Sequence, residues 1–112
     1  IRAVEDREVV EYLVDRGIPI EVSPTSNLRL AVYADAASHP LPDLARAGVR
    51  FSVNSDDPAL FDTSMGAERA YAASALNLDA QGLRAMAGGA ATQAFLPAAE
   101  RDALAASIAS GG

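Results

Sequence analysis

The sequence contains no cysteine and no lysine, and its only histidine is His39. Without cysteine, neither a disulfide framework nor a thiolate metal site can form. One histidine with scattered acids does not complete the usual four-ligand zinc site, so any metal held by these acids needs ligands from elsewhere. No apolar run approaches the roughly 20 residues of a membrane span, and no basic-then-apolar leader opens the sequence. A cytoplasmic protein with no membrane partner is expected. Basic clusters are missing as well: nine arginines stand against 15 Asp and Glu, for a net charge of −6. The electrostatic footprint of a nucleic-acid binder is therefore absent.

What is present fits one modest α/β unit over residues 1–112, with no internal repeat and no linker. Asp6 is placed to cap a helix over Arg7 to Arg16, where Val9 with Leu13 and Val10 with Val14 stand at i,i+4 spacing before Gly17. Ile18 to Val22 is short and β-branched and reads as a strand, followed by a polar loop through Ser23-Pro24-Thr25-Ser26-Asn27. After an aperiodic stretch to Ser38, a short helix over Asp43 to Ala47 is expected. It leads into a strand from Val49 to Ser55, with Val49, Phe51 and Val53 on one face and Arg50, Ser52 and Asn54 on the other. Helices are predicted over Ser64 to Leu76, from Asp79 through Met86, and after Pro97. Gly88-Gly89 suggests a kink or close packing, because each glycine costs about 1 kcal/mol in a helix interior. This order, with connections long enough for crossovers, is the grammar of parallel βα units.

The stretch Ser52-Val53-Asn54-Ser55-Asp56-Asp57-Pro58 concentrates the chemistry. Adjacent carboxylates at a strand end repel one another unless a cation or a donor compensates. Asp-Asp-Pro also makes an ordinary turn, with aspartate bonding the backbone and proline setting φ. Strand parity continued past Asn54 puts Asp56 on the side of Ser52 and Asn54, while a bend before Pro58 brings Asp57 to the same mouth. With only two strands, the apolar helix faces have too few partners, as at the end of a larger α/β protein. His39, in a His-Pro before a short helix, reads as a loop anchor or capping group rather than a metal ligand. Ser26 and Asn27 are expected to brace the loop after the first strand.

Four separated motifs carry a resemblance. Glu21-Val22-Ser23-Pro24-Thr25-Ser26-Asn27, His39-Pro40-Leu41, Ser52 to Pro58 with Phe61, and Ala94-Phe95-Leu96-Pro97 together resemble the C-terminal third of the adenosine deaminase family. The resemblance implies the last two βα units and trailing helices of a TIM (β/α)₈ barrel. It implies hydrolytic deamination of adenosine or a related aminopurine nucleoside, with zinc activating a water. It assigns zinc ligation to Asp56 and a hydrogen bond to the purine N7 to Asp57, at the strand ends where barrel sites lie. It also places the zinc histidines, a proton-transferring glutamate and an orienting histidine upstream of Ile1. The chain by itself is then expected to be inactive and to have the rest of the barrel as its partner. Aminodeoxyfutalosine or free adenine is an alternative substrate, and a non-catalytic binding module is the alternative outside catalysis. Departures from the family pattern fall at Ser23, across Gly66 to Tyr71, and at Gly88-Gly89.

Overall fold

The structure is a computed structural model that describes residues 1–111, so Gly112 lies outside the described residues. After a 3-10 turn over Arg2–Glu5, the order is α1 (Arg7–Arg16), β1 (Ile20–Val22), α2 (Pro24–Arg29), α3 (Leu41–Arg46), β2 (Phe51–Val53), α4 (Pro58–Phe61), α5 (Met65–Leu76), α6 (Ala80–Gln93) and α7 (Ala98–Ser110). The strands pair in parallel, with Ile20 opposite Phe51, Glu21 opposite Ser52 and Val22 opposite Val53. Both are shorter than the sequence pattern suggests, because the ladder is only three residues long. Among the described residues no helix is long and apolar enough to cross a membrane.

Most helix ends follow from chemistry within three residues. The Asp6 side chain accepts the N–H groups of Glu8 and Val9 at the start of α1. Gly17 ends that helix at φ 60°, the left-handed region that favours glycine. Ser64 caps α5 through the Ala67 N–H, and Asp79 caps α6 through the Gly82 N–H.

Two segments depart from expectation. Ser23 to Asn27 does not remain a loop: Pro24 begins α2, a placement proline favours because its ring presets φ and no N–H is lost. Pro58 likewise does more than close a strand, since it is the first residue of α4, with Asp57 as N-cap.

The core is Val22, Leu41, Val53 and Ala72, all buried, with Ile20, Phe51, Tyr71, Leu76 and Met86 packed around it. Val53 thus faces the helices, and the opposite strand parity leaves Ser52 and Asn54 on the other face, where Asn54 Nδ2 donates to Ser52 Oγ at 3.0 Å. Flanking β2, Arg50 O and Asn54 N bond to β1, while the Phe51 carbonyl of β2 accepts Gln93 Nε2 from α6 at 3.2 Å. A side chain therefore satisfies a group to which β1 makes no bond. Val9, Tyr12, Val14 and Ile18 remain exposed around α1, as does Phe95 after α6.

The glycine pair does not interrupt α6 and does not pack closely. The helix runs unbroken through Gly88 and Gly89, and a Cβ at either position would meet nothing within 4 Å. Gly88→Ala and Gly89→Ala are each expected to stabilise the protein by about 0.4–1 kcal/mol, by reducing the freedom of the unfolded chain. Chemical denaturation measures this, and a lowered midpoint in both variants would refute it.

Candidate metal and purine site

The connection that leaves β2 carries both acids. The ladder ends at Val53, and Asp56 sits at φ 56°, in the left-handed region. Strand alternation therefore does not reach Asp56, and its direction is set by the turn and by one hydrogen bond. The buried Ser26 hydroxyl of α2 donates to Asp56 Oδ2 at 2.6 Å. Oδ1 makes no side-chain or backbone bond among the described residues, and the residue is exposed.

Asp57 takes a different partner. Its Oδ1 accepts the Leu60 N–H at 2.9 Å, so it caps α4. That local bond is the turn chemistry open to any Asp-x-x sequence. The second oxygen is not used in the cap. The two acids are thus pinned apart by unlike donors, a hydroxyl from α2 and a backbone amide from α4.

Ser26 is held in place from a distance. α2 has no side-chain cap from Ser23. Instead the Thr25 N–H, one of the amides a helix start leaves unpaired, donates to Glu68 Oε2 at 3.1 Å. Glu68 Oε1 accepts the Thr63 hydroxyl at 2.6 Å. Neither Glu68 nor Thr63 stands out in the sequence, because an acid in the first turn of a helix ordinarily complements the helix dipole at the surface.

His39 is 3% exposed and does structural work. Its Nδ1 accepts the Leu41 N–H at 3.2 Å at the start of α3, and its Nε2 lies 3.2 Å from Asn27 Oδ1. The amide fixes Nδ1 as acceptor, so Nε2 carries the proton and donates to Asn27. Burial pushes the imidazole below its ordinary pKa, against a weaker upward pull from Glu68. Asn27 therefore braces its surroundings through His39, whereas Ser26 reaches into the acid pair.

Glu21, Ser52 and Asn54 line an open concavity of about 550 Å³ together with Gln93 and Phe95. Neither aspartate lines it. Among the described residues no three of His, Cys, Asp or Glu converge. The donor set fits one oxygen ligand of a metal centre, with its other oxygen already oriented by a hydroxyl. It does not make a whole centre.

Residues 1–110 match the family described as adenosine deaminase. The chain belongs to that family. An adenine deaminase of Rhizobium etli is 45% identical over 104 residues, covering 93% of this chain and 32% of its own. That of Sinorhizobium fredii is 41% identical over 108 residues, covering 96% of this chain and 33% of its own. Among solved structures, adenine deaminase from Arthrobacter aurescens superposes with a TM-score of 0.90 at 31% identity, over 99% of this chain and 34% of that one. An Arabidopsis N6-mAMP deaminase gives 0.86 at 27% identity, over 94% and 31%. This adenosine deaminase family chain spans about a third of the length of the relatives it matches.

Proposed function

We propose that the complete protein is a zinc-dependent aminohydrolase that converts adenine to its oxo product and ammonia. This chain contributes the last two βα units of its (β/α)₈ barrel. The observation that carries the reading is the Ser26–Asp56 hydrogen bond at 2.6 Å, which orients one carboxylate oxygen and leaves the other open. A hydroxyl donating to a ligating carboxylate is a common outer-shell arrangement around metals. Zinc, when bound, supplies the Lewis acidity that makes a water nucleophilic near neutral pH.

In this reading Asp56 Oδ1 is one ligand, and the outer oxygen of Asp57 accepts the ring N–H of the adenine tautomer protonated at N7, while its inner oxygen stays on the cap. The remaining ligands and the group that protonates the ring come from outside this chain. The rest of the barrel also covers the exposed Val9, Val14, Ile18 and Phe95 side chains.

Adenine is favoured over adenosine, the sequence expectation, because the similar proteins from Rhizobium, Sinorhizobium and Arthrobacter are described as adenine deaminases. The test is amine release by the complete protein: ammonia from adenine, adenosine and aminodeoxyfutalosine, and methylamine from N6-methyl-AMP. A kcat/KM for adenine on the order of a hundredfold above the others is expected, the discrimination one pocket can supply. A preference for any nucleoside or nucleotide would overturn the adenine assignment. Absence of release from all four would overturn the enzyme reading.

A further inference from the structure

Glu68 is a buried group for which the proposed chemistry has no use. It is 0% exposed and makes no ion pair among the described residues. A buried carboxylate is unfavourable unless its oxygens are bonded, and here each accepts a bond from a different segment. Oε2 takes the Thr25 N–H, at the start of α2, and the next residue is Ser26, whose hydroxyl holds Asp56. Oε1 takes the hydroxyl of Thr63, whose own N–H bonds to the Pro58 carbonyl at 3.1 Å, in the segment that Asp57 caps. One side chain on α5 thus joins the two connections that orient the two aspartates.

We propose that Glu68 is a positioning residue for the metal site, fixing α2 so that the Ser26 hydroxyl meets Asp56 Oδ2. The inference rests on the reading that Asp56 ligates the metal. Glutamate suits the task because it presents two acceptors from one rigid helix. Glutamine has only one acceptor, so its NH₂ faces either the Thr25 N–H, which cannot accept, or the Thr63 hydroxyl, which must then give up the bond it donates.

The experiment uses the complete protein and Zn²⁺ alone, competed against a chelator, with thermal midpoints recorded alongside. Ser26→Ala is expected to weaken zinc by about 10–100-fold, the usual effect of losing an outer-shell partner, and Ser26→Thr to restore most of it. Glu68→Gln should weaken zinc by about tenfold. Because Glu68 acts through Ser26, the double variant should bind zinc no more weakly than Ser26→Ala alone. Glu68→Asp keeps both acceptors but draws them back by one methylene, and it takes the place of Glu68→Gln if that variant does not fold.

Wild-type zinc affinity in the Glu68 variants, or losses that multiply in the double variant, would overturn the assignment and leave Glu68 a purely structural group. Asp56→Ala separates this from the underlying reading. If it binds zinc as tightly as wild type, Asp56 is not a ligand. If it loses zinc while the Glu68 variants do not, only the role of Glu68 fails.

Discussion

Replacing Asp56 by alanine in the complete protein is expected to remove tight zinc binding and, with it, deamination. The loss should exceed the roughly 10–100-fold that an outer-shell partner contributes, because a direct ligand is removed and not merely reoriented. The fold should survive, since Asp56 is exposed and its side chain makes a single hydrogen bond, to Ser26. The φ of 56° makes alanine less comfortable there than aspartate. Asp56→Asn is therefore the companion variant: it tolerates the left-handed conformation and keeps an oxygen for Ser26, but it lacks the anionic charge that suits a metal ligand. Metal analysis after dialysis, together with turnover, decides the matter. Full zinc occupancy and wild-type turnover in Asp56→Ala would end the metal assignment.

Asp57→Ala is expected to keep the metal and lose catalytic efficiency. A hydrogen bond involving a charged group contributes about 1.5–3 kcal/mol, which corresponds to a drop of roughly 10–150-fold in kcat/KM. The structure adds a second effect. Asp57 Oδ1 caps α4, so alanine should also destabilise the protein by about 1 kcal/mol. Asp57→Asn separates the two effects on stability, because asparagine caps a helix about as well as aspartate. Its denaturation midpoint should match wild type while that of Asp57→Ala falls. Kinetics of Asp57→Ala are measured well below its unfolding transition, so that loss of fold does not imitate loss of binding. Unchanged kcat/KM in Asp57→Ala would show that the residue serves only the helix.

The legible parts of the fold are those whose causes lie close along the chain. α1 starts at Asp6 and stops at Gly17 because a carboxylate two and three residues from its amide partners and a left-handed glycine are local devices. The starts of α5 and α6 follow from Ser64 and Asp79 for the same reason. The parallel pairing of β1 and β2 follows from the connection between them, which is too long for a hairpin. The face alternation of Ser52, Val53 and Asn54 was readable too, since a strand has a period of two.

Elsewhere the sequence pattern pointed to the wrong structure, and the reasons are physical. Pro24-Thr25-Ser26-Asn27 has the composition of a turn, yet it is helical, with a carboxylate 43 residues away taking the Thr25 amide. Gly88 and Gly89 read as a kink or a close packing point, but α6 is one helix through both, and a Cβ at either position meets nothing within 4 Å. Strand parity was extended to Asp56, although the ladder ends at Val53 and Asp56 has a left-handed φ.

The sequence by itself determined the membership of the chain in its family, the order of its two strands and of five of its helices, and the two adjacent acids. These depend on residue types at fixed spacing, which a linear reading contains. Only the tertiary structure decided how those acids are held. Ser26 and Asp56 are 30 residues apart, and Glu68 stands between α2 and the end of α4. No local pattern brings such groups to hydrogen-bonding distance. They meet because β1 and β2 lie side by side over one core, with α5 packed against β2 and α2, so that the connections following both strands and the first turn of α5 come together.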